Sequence, residues 1–169
     1  LFNYFKQLFA QVTNPPIDAY REKIVTSELS YLGSEGNLLC PDESVLERIQ
    51  LKKPVLNEAQ LSSIDHSYFN VTYLSTLYTG DLESSLNELG NRAIQAVHEG
   101  AKILVLDDTS LTHENSYAMP ILLALSHVHQ LLIREGLRME TSLIAQSGET
   151  REVHHVACLL GYGANAVVP

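Results

Sequence analysis

Residues 141–169 read TSLIAQSGETREVHHVACLLGYGANAVVP, and this stretch decides the fold class. The apolar run over 142–145 has the length of a buried strand, and the small residues after it end the strand. Glu149 and Glu152 are predicted in the first turn of a helix, where negative charge offsets the positive helix end. Residues 164–168 are extended again, so the stretch predicts one β-α-β unit. Apolar residues at helical spacing form the predicted inner face of the helix, namely Val153, Ala157 and Leu160.

The same alternation of strands and helices extends back to residue 70. Residues 71–77 and 102–106 are predicted strands, and the second is a continuous apolar run, typical of a sheet covered on both faces. Residues 82–99 are a predicted helix, and Pro120 begins the next one because its missing amide costs nothing in a first turn. Both helices carry an apolar stripe on their inner faces: Leu86, Leu89, Ala93 and Val97 in the first, and Ile121, Leu125, Val128 and Leu132 in the second.

Parallel strands joined by helices place the chain in the α/β class. Residues 70–169 read β-α-β-α-β-α-β, which predicts either a partial (β/α) barrel-like sheet or an open doubly wound sheet. Periodicity alone does not choose between these two architectures. Residues 1–69 are predicted to be a helical and loop-rich segment that wraps across the larger unit. Its helical candidates are residues 2–11, 17–30 and 44–50, with a capped turn at 57–61.

Charge and composition disfavour several classes of function. Eleven basic and twenty acidic residues give a net charge of −9, which disfavours nucleic acid and anionic membrane surfaces as partners. No run reaches the roughly eighteen apolar residues that a membrane span needs. Cys40 and Cys158 are too few for a disulfide framework and predict reduced thiols in a cytoplasmic protein. The chain begins without Met and stops after a predicted strand, so we expect a piece of a longer protein.

Carboxylates at the ends of the predicted strands are the first candidates for chemistry, because ligands bind there in both α/β architectures. Asp107 and Asp108 follow one strand, and Glu149 follows the next. One interpretation is a site for a divalent metal formed by these three carboxylates, in a small autonomous metal-dependent enzyme. The other is a solvated turn in which a carboxylate caps backbone amides. The residue types leave both interpretations open.

Two histidine pairs invite a different metal hypothesis, His127 with His129 and His154 with His155. The members of each pair lie one or two residues apart on a predicted helix and diverge, unlike the i, i+4 pair of zinc enzymes. We therefore expect structural histidines and no metal bound by them. Ser147 lacks the preceding glycine of a hydrolase nucleophile elbow and is expected to cap a helix instead.

Five stretches, in order along the chain, are more specific than any short motif. They are YFKQLFAQVTNPPID at 4–18, EGNLL at 35–39, PVL at 54–56, SGETREVHH at 147–155 and GYGANAV at 161–167. Together they closely resemble the central domain of the large (alpha) subunit of glutamate synthase. Because these stretches occur in the family's order from residue 4 to residue 167, the resemblance extends over essentially the whole chain, and residues 1–169 are identified as a single fragment from the later part of that domain.

The resemblance implies a parent enzyme that converts L-glutamine and 2-oxoglutarate to two L-glutamate in ammonia assimilation. An amino-terminal glutamine amidotransferase domain releases ammonia, which travels inside the protein to a domain carrying FMN and an iron–sulfur cluster. The central domain joins these two domains, and its fold resembles a barrel that has lost its cofactor site. This fragment is therefore expected to be non-catalytic, without a cofactor of its own. The resemblance also implies a small NAD(P)H-oxidising subunit as a partner of the parent chain.

Two sets of site residues follow from the resemblance. Thr13, Asn14 and Ile17, held by the double proline, are hypothesised to line the ammonia passage, and the alternative is a buried turn between helices. The second set either contacts the neighbouring domain or forms an internal cap network, and we favour the internal network. Its members are Glu149, Arg151, His154 and His155.

Overall fold

A computed structural model describes residues 1–7, 18–37, 39–40, 47–64, 66–110 and 116–169. The strands in chain order are β1 (Ser30–Leu32), β2 (Ile49–Leu51), β3 (Val71–Ser75), β4 (Leu77–Tyr78), β5 (Ile103–Asp107), β6 (Tyr117–Ala118), β7 (Ser142–Gln146) and β8 (Ala166–Val168). The α-helices are α1 (Ala19–Val25), α2 (Glu58–Ser62), α3 (His66–Phe69), α4 (Leu82–His98), α5 (Ile121–Arg134) and α6 (Val153–Gly161). Among the described residues, short 3-10 helices span Phe2–Phe5 and Arg138–Glu140.

Strands β3, β5, β7 and β8 form one parallel sheet in that order, so each strand lies beside the next one in the chain. Helices α4, α5 and α6 contribute to one hydrophobic core on a single face of this sheet. A doubly wound sheet reverses its strand order at a switch point and carries helices on both faces. The sequential order, with the helices α4, α5 and α6 that connect the strands all on one face, therefore defines a partial (β/α) barrel-like unit.

The core on the helix side forms where the sequence predicts it. Leu89, Ala93 and Val97 of α4 are buried, and Leu86 is half-buried against the same cluster. All four stripe residues of α5 are fully buried, and they pack with Leu104 and Leu143 of the sheet. The stripes of both helices are therefore confirmed, and α5 begins directly after Pro120.

The opposite face of the sheet is covered by the amino-terminal part of the chain. Val55 forms a parallel bridge with Val167, so residues 54–56 extend the sheet beyond β8. This face lines the interior in a closed barrel, and here side chains of the same molecule fill it. The division of the chain at residue 70 stays a prediction. The second core combines sheet residues Ile103, Val105, Ile144, Ala166 and Val168 with Leu32, Leu56, Leu61, Ile64 and Phe69.

Several predicted elements before residue 80 differ from the structure. The predicted helix at 44–50 is wrong at its carboxyl end, because Ile49–Leu51 is β2, paired antiparallel with β1. Residues 41–46 lie outside the described residues. The predicted strand at 71–77 divides at Thr76, whose amide donates to the Asp107 carbonyl at 2.9 Å. Leu77–Tyr78 then leaves the main sheet and pairs with β6.

The amino-terminal helices are shorter than the sequence predicts. Within the predicted helix at 2–11 the structure has a 3-10 helix over Phe2–Phe5, and residues 8–11 lie outside the described residues. Within the predicted helix at 17–30, α1 covers Ala19–Val25 and the carboxylate of Asp18 caps it. The predicted capped turn near residue 57 is confirmed, because Asn57 and Gln60 form a reciprocal capping box at the start of α2.

Helix α6 begins later than predicted and buries a different face. Its first residue is Val153, so Glu149 lies in the preceding turn and Glu152 occupies the N-cap. The predicted stripe is wrong at two of its three positions, because Val153 is 85% exposed and Ala157 is exposed. Leu160 packs on the core as predicted, and Leu159 is the fully buried residue of the helix. The helix is apolar around most of its circumference, so its tertiary contacts, and not its periodicity, select the buried side.

Candidate functional site

The carboxyl ends of β5 and β7 are tied together by side chains. The Ser147 hydroxyl donates to Oδ2 of Asp108, and Oγ of Ser147 itself accepts from the amide of Glu149 at 3.1 Å. Oδ1 of Asp108 accepts from the amide of Gly148 at 3.4 Å. The predicted helix cap at Ser147 is therefore wrong, since this buried hydroxyl joins the ends of two neighbouring strands.

Glu149 caps the amino terminus of α5 from a distant part of the chain. Its Oε2 accepts from the amide of Ile121 at 2.9 Å across a separation of 28 residues. Pro120 holds the N-cap position of α5 and has no polar side chain to offer. The carboxylate supplies the missing acceptor, and its charge interacts favourably with the positive end of the helix.

Helices α4 and α6 also begin at carboxylates. Oδ2 of Asp81 accepts from the amide of Ser84 at 2.8 Å, and this bond holds the pKa of Asp81 below its ordinary value. The Lys6 ammonium, 3.2 Å from Oε1 of Glu152, lowers the pKa of that carboxyl. All three helices that follow a strand of the main sheet thus start beside a negative charge. Phosphate groups bind at this edge in barrel enzymes, on free helix amides.

The three carboxylates of the hypothetical metal site each accept hydrogen bonds from different groups of the protein. Oδ1 of Asp107 accepts from the amide of Thr109 at 2.9 Å, while Asp108 and Glu149 make the bonds described above. Burial, and after it the charge of Asp107, raises the pKa of Tyr73. Within the described ranges, no group of three or more His, Cys, Asp or Glu side chains is arranged to hold a metal ion.

Arg151 and His155 close the turn that precedes α6. Nδ1 of His155 accepts from the Arg151 amide at 3.2 Å, and the Arg151 guanidinium donates to the Gly148 carbonyl at 3.2 Å. The same Nδ1 lies 3.1 Å from the Glu149 carbonyl oxygen, and Nε2 lies 3.4 Å from Oε1 of Glu152. The His155 ring stacks on Phe2 with centroids 4.3 Å apart.

His154 fixes the amino-terminal 3-10 helix to α6. Its Nε2 lies 3.0 Å from the Phe2 carbonyl oxygen and 3.6 Å from Sγ of Cys158. The Phe2 side chain is 7% exposed, so the contact is well packed. Each member of the second set, from Glu149 to His155, thus contacts other parts of this chain. These contacts favour the internal cap network, which stays a hypothesis.

A partly buried arginine, Arg138, lies at the amino-terminal ends of the strands and was not predicted from the sequence. The Arg138 guanidinium donates to the Thr141 carbonyl at 2.7 Å, the Gly163 carbonyl at 2.8 Å and Oδ1 of Asn165 at 3.0 Å. Its Nε donates to Nδ1 of His129 at 2.9 Å. Burial, together with the nearby Arg138 charge, lowers the pKa of His129. In the sequence, Gly-Tyr-Gly-Ala-Asn at 161–165 indicates a turn, but it does not indicate that Arg138 contacts that turn.

Both histidines of the first pair lie in helix contacts. His129 packs against Gly163, whose φ of +110° places it in the region that favours glycine. His127 lies against Gly90 where α4 and α5 meet, and its Nε2 is buried without a hydrogen-bond partner among the described residues. The structural role of this pair stays a prediction.

The residues hypothesised to line the passage, Thr13, Asn14 and Ile17, lie outside the described residues. The described chain resumes at Asp18, whose Oδ1 accepts from the amides of Tyr20 and Arg21. Across the described part of the chain, no helix has the length and apolar character needed to cross a membrane.

The fold and these contacts define a class of protein: a barrel-type α/β domain whose strand ends are closed by its own side chains. The chain belongs to the glutamate synthase central domain family, whose family model matches residues 1–169. It is 49% identical over 172 residues to the glutamate synthase [NADPH] large chain of Bacillus subtilis, covering 100% of this chain and 11% of that protein.

Two further relatives carry different electron donors in their names. The chain is 46% identical over 176 residues to ferredoxin-dependent glutamate synthase 2 of Synechocystis, covering 100% of this chain and 11% of that protein. It is 38% identical over 181 residues to glutamate synthase [NADH] of Schizosaccharomyces pombe, covering 100% of this chain and 8% of that protein. Similarity in this region therefore does not assign an electron donor. The chain spans only about a tenth of the length of these relatives.

Proposed function

We propose that this chain is a non-catalytic connecting domain of a glutamate synthase. It links the glutamine amidotransferase domain to the synthase domain and helps to enclose the ammonia passage between them. The parent reaction is the reductive conversion of L-glutamine and 2-oxoglutarate to two L-glutamate. Membership of the central domain family along all 169 residues supports a place within such a chain.

The main support for the non-catalytic role is that carboxylates lie at the starts of the three helices α4, α5 and α6. Asp81, Glu149 and Glu152 stand at the amino termini of α4, α5 and α6. A flavin phosphate at this edge of a barrel needs free amides and a positive helix end. Asp81 and Glu149 already accept bonds from helix amides there and would repel a phosphate, so these residues do not fit FMN.

The cysteines do not fit an iron–sulfur cluster either. Such clusters take about four cysteine ligands, and this chain contains 2. Cys40 is exposed and Cys158 is half-buried on α6, where its sulfur lies beside His154. We therefore assign FMN and the cluster of the parent enzyme to another domain.

The proposed mechanism of this domain is positional. A rigid spacer fixes the distance between two reaction centres, and an enclosed route keeps ammonia from protonation and loss in bulk water. Two cores, one on each face of the sheet, supply that rigidity. Thr13, Asn14 and Ile17 remain our candidates for the passage wall because of their place beside the double proline.

The test is a series of bulky substitutions in the full-length enzyme. With Thr13→Val, Thr13→Leu and Thr13→Phe, glutamine hydrolysis is expected to continue while glutamate formation per glutamine consumed falls with side-chain size. Ser62→Phe on the exposed surface of α2 is the matched control and should leave the ratio at the wild-type value. An unchanged ratio throughout the Thr13 series would contradict the proposed passage.

The metal-dependent alternative predicts a different result. If Asp107, Asp108 and Glu149 formed a metal site, Mg²⁺, Mn²⁺ or Zn²⁺ would raise the melting temperature of the wild type and not of Asp108→Asn. We expect no metal-dependent rise in either protein, because each carboxylate already bonds to the protein.

The expected partners are the amidotransferase and FMN-binding domains of the same polypeptide, with a small NAD(P)H-oxidising subunit in addition. We place the parent protein in the cytoplasm on the basis of its free cysteines. Nucleic acid and membrane surfaces remain disfavoured as partners by the net charge of −9.

A further inference from the structure

Helix α1 presents an apolar face to the outside of the described structure. The side chains of residues 20–29 are all exposed, and Tyr20 and Ile24 are 85% and 84% exposed. These two residues are four apart, so they lie on the same side of the helix. Val25 and Leu29 continue the exposed apolar surface at 62% and 48%.

A helix of this kind is not self-sufficient. It has 7 residues, and isolated helices shorter than about twelve to fifteen residues are marginal in water. The Asp18 cap satisfies amides at its start, but helices in proteins gain most of their stability by burying an apolar face. The face formed by Tyr20 and Ile24 therefore points to a covering surface.

The amino-terminal part of the chain holds much of the uncovered apolar surface. Before residue 40, the exposed large apolar residues are Leu1, Tyr4, Phe5, Tyr20, Ile24, Val25, Leu29, Tyr31 and Leu39, against eight in the remainder of the described chain. A net charge of −9 disfavours a membrane or nucleic acid as the cover. In the relatives, this region is about a tenth of a longer chain, so the same polypeptide has abundant material for the cover.

We propose that α1 docks, through Tyr20 and Ile24, into an apolar groove on another domain of the same polypeptide. The inference rests on the proposed function only in placing this chain within a longer glutamate synthase. It adds the face that the neighbouring domain contacts.

The experiment uses the full-length polypeptide with the photo-crosslinking residue p-benzoylphenylalanine in place of Tyr20. Irradiation is expected to join position 20 to a residue of the same molecule outside residues 1–169. The same probe at Glu22, on the opposite side of α1, is the control and should give at least tenfold less of that product. Cross-links to residues 1–169 of the same or another copy, or a yield no higher than the control, would overturn the proposal.

Hydrogen exchange supplies a second measurement without the bulky probe. In the full-length protein, amides of residues 22–26 should exchange at least tenfold more slowly in the wild type and in Glu22→Ser than in Ile24→Ser. Equal exchange in all three proteins would overturn the docking. Both readouts report contact and not catalysis, so their failure is distinguishable from an unchanged coupling ratio in the Thr13 series.

Discussion

Oε2 of Glu149 lies 2.9 Å from the amide nitrogen of Ile121 and closes the start of a helix that its own N-cap residue cannot cap. The contact joins the turn after β7 to the helix that follows β6. The sequence predicts Glu149 in the first turn of α6, whereas in the structure its carboxylate caps α5. One side chain thereby ties two consecutive βα units together at the edge where a barrel enzyme holds its ligand.

Removal of this cap should destabilise the chain. We expect Glu149→Ala to lower the free energy of unfolding by about 1 kcal/mol, the usual effect of losing an N-cap. Glu149→Gln keeps an oxygen acceptor but loses the charge, so its effect should be roughly half as large. Urea unfolding followed by far-UV circular dichroism measures both, since the chain has no Trp. Equal stability of Glu149→Ala and the wild type would contradict the cap.

The contact between Ser147 and Asp108 should appear as a coupling energy. We expect a double-mutant cycle of Ser147→Ala and Asp108→Ala to give about 1–2 kcal/mol, because the hydroxyl is buried and bonds to a charged group. A cycle of Ser147→Ala with Asp107→Ala is the control, since the bond of Asp107 is to Thr109. A coupling near zero in the first cycle would show that the two strand ends are not joined by this pair.

Alanine substitutions at three glycines distinguish the stability cost of backbone strain from that of steric overlap. Gly163 has φ +110°, and a Cβ there would overlap the His129 ring. Gly80 has φ +82° but open space around it, and Gly148 has open space without a positive φ. We expect alanine to cost about 3 kcal/mol at Gly163, about 1 kcal/mol at Gly80 and less than about 0.5 kcal/mol at Gly148.

Chemical denaturation of the three alanine variants checks this order. Gly148→Ala is the matched control because it adds the same methyl group to a turn without strain or overlap. Should Gly163→Ala be no less stable than Gly80→Ala, the close packing of the glycine on His129 would be wrong.

The regular half of the fold was predictable because its signals are local. The stripe of α5, from Ile121 to Leu132, repeats with the helical period, and the buried run of β5 has no polar interruption. The partial barrel was also predictable as one of two architectures. The choice between them depends on strand order, which is a tertiary property that periodicity does not encode.

The predictions that failed depend on contacts between distant residues. β2 forms at Ile49–Leu51 because β1 lies beside it, although the local sequence suits a short helix. The buried side of α6 is chosen by the core around Leu159, since most positions of that helix are apolar. The hydrogen bonds of Arg138 were not predicted because its partners, His129 and Asn165, are far apart in the sequence and carry no shared motif.

The contact between Arg138 and His129 makes stability depend on pH. The imidazole accepts a hydrogen bond from a cationic guanidinium, so protonation both breaks the bond and places two positive charges together. The pKa of His129 is lowered from its ordinary value of 6.5, first by burial and second by Arg138. The unfolded state therefore binds more protons than the folded state between the lowered pKa and 6.5.

The free energy of unfolding should consequently rise with pH across that window and become independent of His129 above pH 6.5. The stabilisation is lost as the pH falls through the lowered pKa of the folded state. We expect His129→Gln, which keeps an acceptor for Arg138 but does not titrate, to flatten this part of the profile while remaining near wild-type stability at about pH 7.5. His129→Ala should flatten it too, but with lower stability than His129→Gln at every pH, because the partly buried guanidinium then lacks a partner at position 129. Urea unfolding between about pH 5 and pH 8 measures the slopes, and a wild-type slope in His129→Gln would exclude His129 as the titrating group.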